Sequence, residues 1–236
     1  MSLKEKFIFN FIQDGRWHYI ADGLKVTLQV TFFAVLLGIA LGVIIAIVRS
    51  TYDKNKNSVH GLGKFVLFIM NLICKIYLTV IRGTPVVVQL MIMYFIVLVS
   101  SNNKVLVAVL AFGFNSAAYV AEIFRSGIMS IDEGQFEAGR SLGFNYVQTM
   151  RYIIIPQAFK NVLPALANEF IVLLKETSVA GYVGLVDLTK GGDIIRSRTF
   201  EAFMPLIGVA VIYLVMVMFF TWLVGILERR LRNSER

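Results

Sequence analysis

The sequence predicts an all-α integral membrane protein with about five membrane-crossing helices. Three observations carry that expectation. Of the 236 residues, 57% are hydrophobic and only 16% charged, where a soluble domain averages about 45–50% and about 25%. Mean hydropathy is +0.73. The apolar residues are also concentrated into runs near the roughly 20 residues that a spanning helix needs. This composition excludes a disordered chain and argues against an ordinary soluble enzyme. The chain reads as one transmembrane domain over residues 1–236.

Residues 1–25 mix Lys4, Glu5, Lys6, Asp14, Arg16, Asp22 and Lys25 with Phe7, Ile8, Phe11, Ile12, Trp17, Tyr19 and Ile20. No uninterrupted apolar core makes them a signal peptide. They suit an amphipathic helix at an interface, with Trp17 and Tyr19 at the headgroup level. The first clear span is Val26 to Val48, ended by Arg49. Gly38 and Gly42 lie four apart in it, the spacing of close helix contacts. Further apolar runs cover Val86 to Val99, Val105 to Ile123, Tyr152 to Leu174 and Met204 to Leu227. The run Tyr152 to Leu174 is broken by Pro156, Pro164, Lys160, Asn168 and Glu169.

The run Leu62 to Ile81 fits two arrangements. Its polar residues Lys64, Asn71 and Lys75, with the flanking His60 and Arg82, fall within an arc of about 60° on a helix. Such a stripe suits a helix lying on the surface or one packed beside a polar partner. Five spans result if it lies flat, and six if it crosses. With five spans, 13 Lys and Arg fall on one side and 9 on the other. The richer side is expected to be cytoplasmic. Either scheme puts the loop at 125–151 and the C-terminus there.

That loop is too polar to span. Asp132 to Leu142 reads as a short helix, with Asp132 as N-cap, Glu133 in the first turn and Gly143 as the stop. Physics alone allows a solvated linker or a docking knob. The run Glu137-Ala138-Gly139, then Gly143, Ile153 and Pro156, resembles the EAA loop of ABC-importer permeases. Gly139 replaces the second Ala of that motif and Ile155 its Leu. Gly23-Leu24-x-x-Thr27-Leu28-x-x-Thr31, Arg82-Gly83-Thr84-Pro85, Ala118-Tyr119-x-Ala121-Glu122-x-x-Arg125 and Leu174-Lys175-Glu176-Thr177-Ser178 are similar to the polar-amino-acid branch of that family. The likeness covers roughly residues 20–227.

The resemblance implies the type I importer permease fold in a bacterial cytoplasmic membrane, with the N-terminus outside. It implies two permease subunits (copies or close relatives), a dimer of cytoplasmic ATPases that bind ATP and Mg, and an extracytoplasmic solute-binding protein. The chain has no G-x-x-x-x-G-K-[ST] phosphate loop, so the ATP site is expected elsewhere. No cofactor, catalytic residue or metal site of its own, and no nucleic-acid partner, is expected. Phe136, Glu137, Ala138, Gly139, Leu142 and Gly143 are the expected ATPase-coupling residues, with Phe144 a further apolar contact; each aromatic fits packing within its own subunit equally well.

For solute, the candidates are Asn115, Ser116, Tyr119, Glu122 and Asn168. Asn115, Tyr119 and Glu122 share a face at i, i+4, i+7, and an ionisable residue inside a span marks a functional site. Glu122 either receives an ammonium group or pairs with Arg82 or Arg125. Lys175-Glu176-Thr177-Ser178 and the following loop through glycines 181, 184, 191 and 192 fit an outer gate or binding-protein contact, and the glycines fit turn residues equally well. An ion-coupled transporter or channel is the rival reading, since it too would use intramembrane Glu122 and Glu169. An intramembrane enzyme is disfavoured because His18 and His60 lie outside the clear spans.

Overall fold

A computed structural model describes residues 2–55 and 60–233, and among these no strand occurs. Lys56 and Arg236, part of the charge bias, lie outside them. The helices are α1 (Leu3–Phe7), α2 (Trp17–Asn55), α3 (Leu62–Gly83), α4 (Val86–Ile92), α5 (Lys104–Met129), α6 (Glu133–Ser141), α7 (Tyr146–Thr149), α8 (Ile155–Glu176), α9 (Leu188–Thr199) and α10 (Phe203–Asn233). Single π-helical turns extend α1 over Ile8–Ile12, extend α4 over Met93–Val97, and join α7 to α8 over Met150–Ile154.

Four helical stretches are long and apolar enough to cross a membrane: Trp17–Lys54, Leu62–Gly83, Lys104–Met129 and Phe203–Leu231. The stretch Val86–Val97 is apolar but shorter. α8 has the length, but Lys160, Asn161, Asn168 and Glu169 dilute its apolarity. The first span begins earlier than its apolar core suggests. Asp14 and Gly15 take positive φ values of 53° and 64°, which breaks the chain before Trp17 and lets the helix start there.

The chain forms two compact units, each drawn from three separated stretches. One comprises Met1–Leu36, Pro85–Gly113 and Phe170–Leu223. Here the N-terminal hook is pinned by buried polar groups. Asn10 Nδ2 donates to the Lys6 carbonyl at 2.9 Å and to Glu201. The Arg16 guanidinium donates to the Phe9 carbonyl and pairs with Asp14 at 2.6 Å. Buried Asp187 caps α9 by accepting from the Thr189 and Lys190 amides at 3.0 and 3.1 Å. The next orphan amide of that helix end, Leu188 N–H, donates to Thr27 Oγ1 at 3.1 Å. Gly191 and Gly192 are helix-contact residues inside α9 and not turn residues. A Cβ on Gly191 would stand 2.3 Å from the Tyr19 carbonyl oxygen, and one on Gly192 2.4 Å from Val209 Cγ2.

The other unit comprises Leu37–Thr84, Phe114–Glu169 and Val224–Arg236. The expected contact at Gly38 and Gly42 is present. A Cβ on Gly38 would lie 2.8 Å from Ser116 Oγ, and one on Gly42 2.6 Å from Val120 Cγ1. Only glycine lets the α2 backbone approach α5 this closely. α3 packs Leu78 on Ala118 and Ala121, and Tyr77 OH donates to the Phe114 carbonyl. α8 meets α5 through Val120, Val162 and Leu166. Beneath the polar loop lies an apolar cluster of Ile128, Ile131, Met150, Ile154 and Ala158.

Candidate coupling loop and polar cavity

α6 forms from a sequence with no apolar stripe because both of its ends are capped. The Asp132 carboxylate accepts from the Gly134 amide at 2.6 Å. At the other end, Gly143 has φ +79°, a conformation open to glycine at little cost. That bend lets Phe144 N–H return to the Gly139 carbonyl at 3.0 Å. Asn145 and Gln148 then form a reciprocal capping box that starts α7.

The coupling candidates divide into two groups. Glu137, Ala138 and Gly143 are exposed, and Leu142 is 71% exposed. Among the described residues, no ion pair or side-chain hydrogen bond engages the Glu137 carboxylate. Phe136 instead packs against the apolar cluster of its own unit, beneath the Lys54 ammonium at 4.6 Å. Phe144 lies against Tyr152, with ring centroids 6.2 Å apart. Gly139 is buried against Thr149, and a Cβ there would stand 2.7 Å from both Thr149 Cγ2 and Oγ1. The departure from Ala at this motif position therefore has a steric cause. Val147, which sequence reasoning did not single out, is a second strongly exposed apolar residue of this loop, at 70%.

Glu133, in the first turn of α6, pairs with Lys54 from the end of α2. That hydrogen bond and charge hold the Glu133 carboxyl below its ordinary range. It also sits where the helix dipole favours an anion.

In the same unit a cavity of about 420 Å³ lies between the α5 and α8 faces and the end of α3. Arg82, Tyr119, Glu122, Ser126, Asn161 and Glu169 line it. The volume falls within the usual range for small-molecule sites, about 300–1,000 Å³. Tyr119, Glu122 and Ser126 share one face of α5, and Asn161 and Glu169 one face of α8. Glu122 Oε1 accepts from Arg125 Nη2 at 2.6 Å, and its other oxygen lies 4.0 Å from Arg82 Nη1. Arg125 Nη1 is 3.7 Å from Asp53 Oδ2. Arg82 also stands over the Tyr119 ring at 5.7 Å.

Of the solute candidates, Tyr119 and Glu122 reach this wall. Ser116 is fully buried and donates to Glu169 Oε1 at 2.9 Å, so it holds a lining residue. Asn115 is buried and Asn168 exposed, and neither lines the cavity. Sequence reasoning missed Asn161 and Ser126. The i, i+4, i+8 order of Asn161, Ala165 and Glu169 was the available signal.

Together these features define a helical membrane protein that presents an exposed polar helix and an open cleft with charged side chains on its wall, without a nucleotide-binding loop. The family model of the binding-protein-dependent transport system inner membrane component matches residues 62–233. The chain is 36% identical over 216 residues to the putative glutamine transport system permease protein of Rickettsia typhi, covering 90% of this chain and 93% of that one. It is 36% identical over 220 residues to the arginine transport system permease protein of Bacillus subtilis, covering 92% and 94%. A crystal structure of an amino acid ABC transporter with histidines is 43% identical, covers 90% of this chain and 94% of that chain, and superposes with a TM-score of 0.78. The MetNI methionine ABC transporter in an inward-facing form shares the fold at 18% identity, with a TM-score of 0.75. The chain therefore belongs to the family of inner-membrane components of binding-protein-dependent transport systems. It is a multi-pass permease subunit of an ABC importer and a transport component, with ATP hydrolysis in a separate subunit. The family works with an ATPase and a solute-binding protein.

Proposed function

We propose that this permease carries polar amino acids inward by alternating access, paired with a second permease subunit that is a copy or a close relative. Two ATPase subunits bind ATP and Mg and each receives one α6. The loop 125–156 and the C-terminus face the cytoplasm, and the N-terminus faces outward. The observation that carries this reading is α6 itself. It is capped at both ends, seated on an apolar cluster, and presents Glu137, Ala138 and Leu142 outward with no partner among the described residues for the Glu137 carboxylate. An exposed apolar residue beside an unpaired acid fits a docking knob better than a linker.

Relatives named for glutamine and arginine support an amino acid as the solute. The cavity suits a zwitterion. Glu169 offers a carboxylate to the ammonium group, Arg82 a guanidinium to the carboxylate, and Tyr119 and Asn161 polar edges. Glu122 is already engaged by Arg125 and Arg82, so its main role is to hold the wall in register. Ser116 orients Glu169. Asn115 and Asn168 lie outside the wall and are not assigned contacts here.

The test is Glu137→Ala in the assembled complex with its ATPase and loaded binding protein. ATP hydrolysis stimulated by the loaded binding protein is expected to fall while the permease stays folded. Stimulation equal to wild type would refute the docking assignment. Uptake by vesicles containing permease without any ATPase would refute the importer reading.

A further inference from the structure

Two adjacent residues on the last turns of α2 reach two different parts of the same unit. Lys54 pairs with Glu133 on α6 and stands 4.6 Å over the Phe136 ring. Asp53 lies 3.7 Å from Arg125, which binds Glu122 at 2.6 Å, which in turn lies 4.0 Å from Arg82 on the cavity wall. The two branches share one stretch of unbroken helix. Neither Asp53 nor Lys54 belongs to the motifs that carry the family resemblance.

We propose that Asp53 and Lys54 form a latch through which the position of α6 sets the position of the charged cavity wall. The proposal rests on the reading of α6 as the docking helix. Stability alone does not explain the arrangement. The Glu133 side chain is 81% exposed, and exposed ion pairs contribute little to stability. Geometry is what the four contacts provide. Lys54 is held by a charge and by a ring at once, which restricts where α6 can sit relative to the end of α2. Arg125 is fixed between Asp53 and Glu122, so a shift at the end of α2 displaces the guanidinium that orients Glu122. A helix transmits such a shift along its axis because its hydrogen-bond ladder is stiff, and interfaces of this kind switch between discrete arrangements. Asp53 and Lys54 are thus positioning residues that act through Arg125, Glu133 and Phe136.

The test uses the complete complex in proteoliposomes with loaded binding protein, reading solute taken up per ATP hydrolysed. Lys54→Glu and Asp53→Asn are expected to lower that ratio by about tenfold, within the usual span of allosteric couplings. The charge swap Lys54→Glu with Glu133→Lys is expected to recover it to within about fivefold of wild type, and Lys54→Arg to retain it. If Lys54→Glu fails to assemble, Lys54→Met carries the comparison, because it keeps the stem over Phe136 and removes only the charge. An unchanged ratio in the assembled single variants, or a swap that assembles without recovery, overturns the latch. A wild-type complex with no ATP-dependent uptake overturns the importer reading instead, so the two failures are distinct.

Discussion

Replacing Gly139 by alanine sets two effects against each other at one carbon. Helix propensity favours Ala by about 1 kcal/mol. The new Cβ would stand 2.7 Å from Thr149 Cγ2 and Oγ1 and 3.2 Å from Thr149 Cβ, well inside the 3.5–4.0 Å optimum for carbon contacts. Thr149 is 2% exposed and cannot swing into solvent, so overpacking of about 1–3 kcal/mol is expected. The net change is a loss of up to about 2 kcal/mol. Thr149→Ala removes both close atoms, together with a buried hydroxyl that has no hydrogen-bond partner. In the double variant the propensity gain should emerge, and the coupling energy should be about 1–3 kcal/mol in favour of the pair. The assay is hydrogen exchange of the α6 amides in wild type, both single variants and the double. Exchange reports local opening, where a melting temperature reports the whole membrane protein. Faster exchange in Gly139→Ala and recovery in the double variant are expected. Slower exchange in Gly139→Ala alone would show that the neighbour yields, and would refute the steric account of this glycine.

Four further outcomes follow from other contacts. Gly42→Ala places a Cβ 2.6 Å from Val120 Cγ1 and 2.9 Å from the Ala117 carbonyl oxygen, so thermal stability should fall by about 1–3 kcal/mol. Gly225→Ala meets nothing within 4 Å and should be neutral or slightly stabilising in the same measurement. Glu122→Gln should reduce the yield of assembled complex while leaving the preference between arginine and glutamine unchanged. A tenfold loss of preference for arginine, about 1.4 kcal/mol, would instead place Glu122 on the solute. Burial pushes the Asp187 carboxyl above its ordinary range, against the hydrogen bonds from Lys190 and Thr189 that draw it down. An acid with a raised folded pKa contributes its stability below the unfolded value and loses it as pH rises through the folded one. Asp187→Asn removes that titration but keeps only one of the two acceptor oxygens that the Thr189 and Lys190 amides use. Its melting temperature should therefore change less than that of wild type between about pH 4 and neutral pH.

The helix α6 was legible because its signals are local. Asp132, Glu133 and Gly143 cap, charge and end it within a dozen residues. Gly38 and Gly42 were legible for a similar reason, since spacing alone puts them on one helix face. What could not be read depends on residues brought together in space. Gly139 looks like a weakened motif position until Thr149 is placed against it. Lys54 is one surface charge among many until α2 ends beside Glu133. In α8, Pro164 within the helix and the π-helical turn before it obscure the helical phase. Asn168 was one of five solute candidates in the sequence, and the neighbouring Glu169 is the residue that lines the cavity. Phe136 was open to two readings, an ATPase contact or packing within its own subunit, and its ring lies beneath Lys54 and against the apolar cluster.

The division of the chain into two compact units also has a consequence for synthesis. Neither unit is a contiguous stretch. The first needs residues up to Leu223 and the second residues from Val224 onward. Both therefore await α10, the last of the described helices in chain order. Until it arrives, α2 and α5 must persist in the bilayer as inserted helices that lack their final neighbours. A chain stopped before Phe203 would leave both units unfinished and should be degraded, whereas in a protein of sequential domains a truncation spares the first.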